Sequence, residues 1–475
     1  MSANGTSNGT TAPSPPDPGL LDRAMKRLGF LWRDVAAAVS WSEAEEDDLQ
    51  AQMRACLEAK GGEVSARTRA AGLSERYRAA DDAGRLAFLK ALASFDADPE
   101  AVTRAMERVA AATDAAERAV ATARLRRALE PPRLKLMTQF TAIPDGVKFL
   151  VNLRADLLAR LDGDALLHAL ETDLKGLLAS WFDVGFLELR RIDWSSPAAL
   201  LEKLVDYEAV HRIRTWRDLK NRLDSDRRCY AFFHPRMPEE PLIFVEVALV
   251  KGLSENVQRL LDLKAPVQDP READTAVFYS INNCQRGLDG ISFGNFLIKH
   301  VVSVLTAEFR NIKAFSTLSP IPGFRRWLDE KLEAEGAELF TAEESRALTA
   351  LPGGEEGPVA LMRVAMGRRG WLRDEKLSLP LEPVVTRLCA LYLANEAGRG
   401  KRARDPVAHF HLSNGARIER LNYRGDMSEK GFRESLSMMV NYLYDLGKIE
   451  AYHEDYVGEG KRAVSAAVRK LAKAA

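Results

Sequence analysis

From residue 20 to about residue 182, apolar residues recur at three- and four-residue steps with polar residues between them, the period of amphipathic helices. Residues 100–129 are rich in Ala, Arg, Glu and Leu, all strong helix formers, and contain few breakers. Gly61-Gly62, Pro131-Pro132 and Pro144-Asp145-Gly146 interrupt the pattern. Long helices with short breaks predict a helical bundle, a structural element more than a site of chemistry. After about residue 183 the pattern changes. Residues 229–234 and 242–250 are β-rich runs joined by a Pro-rich turn. A helix is expected over 254–263, capped by Ser254, then a strand over 275–281, a Gly-containing loop and a helix over 293–309. A strand over 312–318 ends in Ser319-Pro320-Ile321-Pro322-Gly323. Helices are expected over 324–335, 341–351 and 381–397. Residues 407–412 and 416–422 read as a hairpin around Asn414-Gly415, and helices over 428–446 and 460–474 follow. The expected fold class is α+β, a helical bundle before a mixed α/β domain, with the boundary between residues 184 and 195.

Composition narrows the partners. Among 475 residues, 46% are hydrophobic and 29% charged, the balance of a chain that buries a large core. Lys plus Arg equals Asp plus Glu at 68 each, which gives no support for a nucleic acid or an anionic membrane as main partner. Cys56, Cys229, Cys284 and Cys389 form no C-x-x-C pair, and no H-E-x-x-H occurs, so no metal site is expected. Residues 1–19 are rich in Ser, Thr, Gly, Asn and Pro and are expected to be a disordered tail, without the apolar core of a secretory signal or the Arg of a mitochondrial presequence. No run of 18 apolar residues occurs, so no membrane span is expected and the cytoplasm is the default location.

Three stretches carry candidate chemistry. In residues 276–302 a strand runs into Gly287, Gly290 and Gly294 and then a helix. Such a loop can cradle a pyrophosphate, although its spacing fits neither the P-loop nor the dinucleotide fingerprint, and an ordinary strand–helix turn is the alternative. In residues 315–324 two prolines and a glycine stiffen the loop that holds Ser319. In residues 406–415 His409 and His411 would share one face of a strand. Either can serve in proton transfer or be structural, and spacing does not choose between them.

FYSI at 278–281, GLDGISFGNFLIK at 287–299, FSTLSPIPGF at 315–324 and DPVAHFHLSNGA at 405–416 closely resemble malonyl-CoA decarboxylases. HPRMPEEPLIFVEVAL at 234–249 and FLVNLRADLLARL at 149–161 do so too, and the resemblance spans roughly residues 135–450. It implies a helical domain over 20–184 that mediates oligomerisation, often as tetramers, and an acyl-CoA-binding catalytic domain over 185–475 similar to the N-acetyltransferase fold. It implies conversion of malonyl-CoA to acetyl-CoA and carbon dioxide with no cofactor. The family's catalytic serine falls on Ser319, its catalytic histidine on His411 and the tyrosine associated with that histidine on Tyr444, with Ser280 as a supporting serine. Gln285, Gly287, Gly290, Ser292 and Gly294 are the further substrate-binding candidates. Eukaryotic members carry a glutamate where this chain has Ser292, which marks it as a bacterial-type member. On this reading His411, as imidazolium, protonates C2 of the enolate, and Ser319 orients the malonyl group by a hydrogen bond. The competing reading is a CoA-dependent acyltransferase on the same fold, which would need an acceptor site that no residue identifies.

Overall fold

The structure, a computed structural model, describes residues 48–59, 62–291 and 294–473; the expected tail and Ser292 lie outside them. The chain divides into two compact units. One comprises Met1–Trp181 together with Arg286–Ile291, and the other Phe182–Gln285 and Ser292–Ala475.

The first unit is helical, as its periodicity predicts. Its helices are α1 (Leu49–Leu57), α2 (Glu63–Ala79), α3 (Asp82–Ala93), α4 (Pro99–Ala111), α5 (Ala115–Leu129), α6 (Pro132–Phe140), α7 (Gly146–Leu158) and α8 (Ala165–Trp181). Asp48, Asp81, Asp98 and Asp114 cap α1, α3, α4 and α5 by accepting bonds from first-turn amides. The core is built from α6, α7 and α8, where Leu136, Phe140, Leu150, Leu153, Leu157, Leu170 and Leu174 are fully buried.

The second unit is α+β, built on a mixed sheet of β1 (Glu188–Ile192), β2 (Arg227–His234), β3 (Met237–Val250), β4 (Thr275–Asn283), β5 (Ala314–Thr317), β6 (Ser319–Pro320), β7 (Arg417–Asn422) and β8 (Met439–Leu443). The strand order is β1-β2-β3-β4-β5-β8-β6, with β7 also on β8. β1 through β4 are antiparallel neighbours. β4 and β5 are parallel, because the chain crosses between them through the helix Gly294–Glu308. Their pairing stops at Phe278↔Thr317, whereas β4 continues to Asn283. Around the sheet lie α9 (Ala198–Tyr207), α10 (Trp216–Arg222), α11 (Val257–Leu260), α12 (Gly294–Glu308), α13 (Phe324–Ala334), α14 (Ala342–Thr349), α15 (Pro358–Gly367), α16 (Glu375–Asn395), α17 (Pro406–Ser413), α18 (Glu429–Ser435), α19 (Ile449–Glu454) and α20 (Ala466–Lys473).

Three expectations are corrected. Residues 406–413 form helix α17 and not the first strand of a hairpin. Asp405 caps its start, Pro406 occupies its first turn, and Gly415 (φ 79°) supplies the left-handed residue just past its end. Asn-Gly therefore marks a helix end here, because a positive φ serves that role as well as a hairpin turn. The single helix expected over 428–446 is α18 followed by β8, broken where Leu436 and Ser437 both adopt positive φ. The helix expected over 254–263 shrinks to the four residues of α11, capped by Asn256 instead of Ser254. By composition α16 is long and apolar enough to cross a membrane. It is a core helix: Leu381, Val385, Leu388 and Leu393 are buried, and its buried Arg387 pairs with Glu344.

Candidate functional site

Ser319 sits where β5 ends. Its backbone pairs with Val440 of β8, and Pro320 and Pro322 restrict the φ angles that follow. His411 projects from α17, and its Nε2 lies 3.1 Å from Ser319 Oγ. Its Nδ1 lies 2.8 Å from the hydroxyl of Tyr444, which follows β8 and is tied to β5 by its amide donating to Phe315 O at 2.9 Å. The imidazole stacks on Tyr442, with ring centroids 4.5 Å apart and planes inclined by 26°. All four side chains are buried. Three of the residues singled out in the sequence, from three separate stretches, are thus hydrogen-bonded in one row.

The sequence reading missed a fourth member. Ser319 Oγ donates to Thr317 Oγ1 at 2.8 Å, and Thr317 Oγ1 also accepts from the Tyr442 amide at 3.1 Å. The Thr–x–Ser spacing in one extended stretch was the available signal, since alternate residues of extended chain share a face. With the Ser319 proton directed to Thr317, His411 Nε2–H donates to Ser319 Oγ and Nδ1 accepts from the Tyr444 hydroxyl. Burial pushes His411 down to about 3, and burial also holds the Tyr444 phenol well above its ordinary range. Burial therefore favours the neutral ring over the imidazolium, and desolvation is the cause.

The α17 helix also settles how the two histidines are disposed. Two residues apart on a helix, they point to different sides. His409 Nδ1 meets Tyr456 Oη at 2.9 Å, and that hydroxyl accepts from the Ala403 amide. His409 is thereby a structural histidine, and only His411 reaches Ser319.

The remaining sequence candidates lie elsewhere. Ser280 donates to the buried carboxylate of Glu208, which also accepts from Asn282 Nδ2 and from the amides of Val210 and His211. It bonds none of Ser319, His411 or Tyr444. Gln285 donates to Pro241 O at 2.9 Å. The glycine loop packs within the helical unit. Arg154 of α7, almost fully buried, donates to the carbonyls of Gly287 and Asp289 at 2.7 and 2.9 Å and pairs with Glu171 of α8. A side chain at 287 would overlap the Val151 carbonyl oxygen, so this glycine is required by close packing. Gly290 has φ 74°, and a Cβ there would stand 3.3 Å from Lys175 Nζ. Gly294 begins α12. Among the described residues, no group of three or more His, Cys, Asp or Glu is placed to hold a metal ion.

Residues 185–475 match the model of the malonyl-CoA decarboxylase C-terminal domain, and residues 95–182 that of the N-terminal domain. The chain belongs to the malonyl-CoA decarboxylase family. The mitochondrial malonyl-CoA decarboxylase of Anser anser anser is 40% identical over 346 residues, covering 70% of this chain and 68% of that protein. The Mus musculus protein is 41% identical over 350 residues, 70% of each. Among solved structures, malonyl-CoA decarboxylase from Rhodopseudomonas palustris superposes with a TM-score of 0.80 at 44% identity, covering 89% of this chain and 99% of that one. The Agrobacterium vitis structure gives 0.81 at 39% identity, with 90% and 99% covered. Membership in this family makes the Ser319–His411–Tyr444 row the first place to look for its chemistry.

Proposed function

We propose that the chain decarboxylates malonyl-CoA to acetyl-CoA and carbon dioxide at Ser319 and His411. The observation that carries this reading is the buried row Thr317–Ser319–His411–Tyr444 in a chain of this family. Loss of carbon dioxide from a malonyl thioester leaves an enolate, and the barrier falls when fixed donors meet the negative charge forming on the thioester oxygen. Ser319 can turn its O–H from Thr317 to the malonyl group without moving its backbone. The malonyl carboxylate brings the negative charge that the neutral His411 lacks as a partner, so a proton is taken up with the substrate. That proton passes from Nε2 to C2 of the enolate, and the ring returns to its neutral form. One proton is consumed per turnover, as the overall reaction requires. Tyr444 fixes the ring through Nδ1 in the way an orienting group fixes a general acid.

One feature supports binding of the rest of the substrate. Among the described residues, β4 beyond Phe278 has no strand partner on the β5 side, which leaves peptide groups for the amides of an extended pantetheine arm. Incubation with malonyl-CoA alone is the test. Acetyl-CoA and carbon dioxide should form in equal amounts with no acceptor present, and turnover only after an amine or alcohol is added would replace this reading with acyl transfer.

A further inference from the structure

Ser319 and His411 come from elements about ninety residues apart in sequence, and their contact depends on how those elements are fastened. One carboxylate touches both. Asp405 Oδ1 accepts from the Val407 and Ala408 amides, each at 3.0 Å, and so caps α17, the helix that carries His411. Asp405 Oδ2 accepts from the Gly323 amide at 3.2 Å, at the far end of the Ser319–Gly323 loop, and from the Tyr392 hydroxyl at 3.4 Å. The residue is 1% exposed. Gly323 can approach only because it lacks a side chain, since a Cβ there would overlap the Tyr392 hydroxyl. Tyr392 is itself held among the rings of Phe324 and Trp327.

We infer that Asp405 is a positioning residue that sets the Ser319–His411 distance. Two prolines stiffen the three residues between Ser319 and Gly323, so a shift at Gly323 is passed on to the hydroxyl. His411 lies six residue steps along the helix from the Asp405 cap, about 9 Å at the usual rise, and the turns between act as a rigid arm. The capping role alone would need only Oδ1. The second oxygen, turned to the serine loop, makes the carboxylate a joint between the two elements. Burial raises the Asp405 carboxyl above its ordinary range, and the bonds from Ala408, Gly323 and Val407 draw it back.

This inference rests on the proposed decarboxylation, and its test separates the two. Asp405→Asn keeps a carbonyl oxygen for the cap but sets an NH2 against the Gly323 N–H. Asp405→Ser keeps a capping hydroxyl and reaches no further. In both, kcat for malonyl-CoA should fall tenfold or more while KM stays within about twofold, because the defect lies in the geometry of the reacting groups and not in binding. Rates are taken per folded molecule, from circular dichroism below each variant's melting midpoint, so a loss of stability is counted apart from a loss of rate. Asp405→Ala, which removes cap and joint, should melt lowest and be no more active than the other two. If folded Asn and Ser variants keep kcat within twofold of wild type, Asp405 is only a helix cap and the inference falls. If wild type itself makes no acetyl-CoA, the proposed function falls first.

Discussion

Removing one oxygen at position 444 isolates the role of the His411 partner. Tyr444→Phe deletes the hydroxyl 2.8 Å from Nδ1 and leaves the ring contact with Phe278 in place. The imidazole stays stacked on Tyr442 and still faces Ser319, so the change acts on its proton and orientation more than on its location. A buried donor or acceptor left without its partner costs about 1–3 kcal/mol. At about 1.4 kcal/mol per factor of ten, a cost borne at the transition state lowers kcat by roughly 5- to 150-fold. KM for malonyl-CoA should not move, since Tyr444 is placed to touch His411 and not the substrate. The assay follows acetyl-CoA from malonyl-CoA in steady state and in a single turnover, so that a slow product release does not mask the chemical step. His409→Asn is the control. It loses the contact with Tyr456 and should lower the melting midpoint while leaving kcat near wild type. A Tyr444→Phe enzyme with unchanged kcat, or one whose KM rises in step with the loss, would refute the argument that Tyr444 orients the acid.

Ser319→Ala should lower kcat by about 10²–10³, the loss typical of one fixed donor. Intact-protein mass spectrometry of wild type quenched during turnover should show no malonyl or acetyl adduct, since the thioester bond survives the reaction; an adduct on Ser319 would move the enzyme to covalent catalysis. The His411 ring, ordinarily near 6.5 and held at about 3 in the fold, gives a pH signature. Between those values the unfolded chain binds a proton that the fold does not, so stability is complete above about 6.5 and falls as pH falls towards 3. From pH 6.5 to 5.0 this is about 2 kcal/mol, and wild type should lose about that much more than His411→Gln over the same interval; equal losses would show that His411 titrates normally. Arg154→Met leaves Glu171 and two loop carbonyls without their partner, a change of the kind that costs about 3–5 kcal/mol when a buried pair is broken. Its melting midpoint should fall by several degrees, and an unchanged midpoint would show that Arg154 does not hold the loop.

The sequence was informative where a signal was local and uncontested. The helix-forming composition of α2 to α8, the β-rich β2–β3 pair and the β4–loop–α12 passage are set off by clear breakers, and the α+β order follows from them. It was uninformative where the pattern is short or broken. The α17 segment, VAHFHL, is half buried and spans fewer than two helical turns without a charged residue, so its Asn-Gly ending read as a hairpin turn. The 428–446 segment has helical composition, but Leu436 and Ser437 enter the left-handed region, where the surrounding packing and not their own preference holds them. Ser319, His411 and Tyr444 were identified through motif resemblance. Residue chemistry alone left two histidines open, because only the helix shows that His409 faces Tyr456. Thr317 and Asp405 were passed over because no motif marked either as an acid, a base or a nucleophile, and their value lies in what they hold. Ser280 was legible as important but not as a partner of Glu208, seventy-two residues away.

The Arg154 contacts bear on how the chain can be recombined with its relatives. The six residues 286–291 are encoded in the middle of the catalytic segment yet take their packing from α7 and α8. A chimaera cut cleanly near residue 182 would join one relative's loop to another's Arg154, Val151 and Lys175. Such exchanges should work only when those six residues travel with the helical half, which makes the loop, in inheritance as in packing, an outlying part of the N-terminal domain.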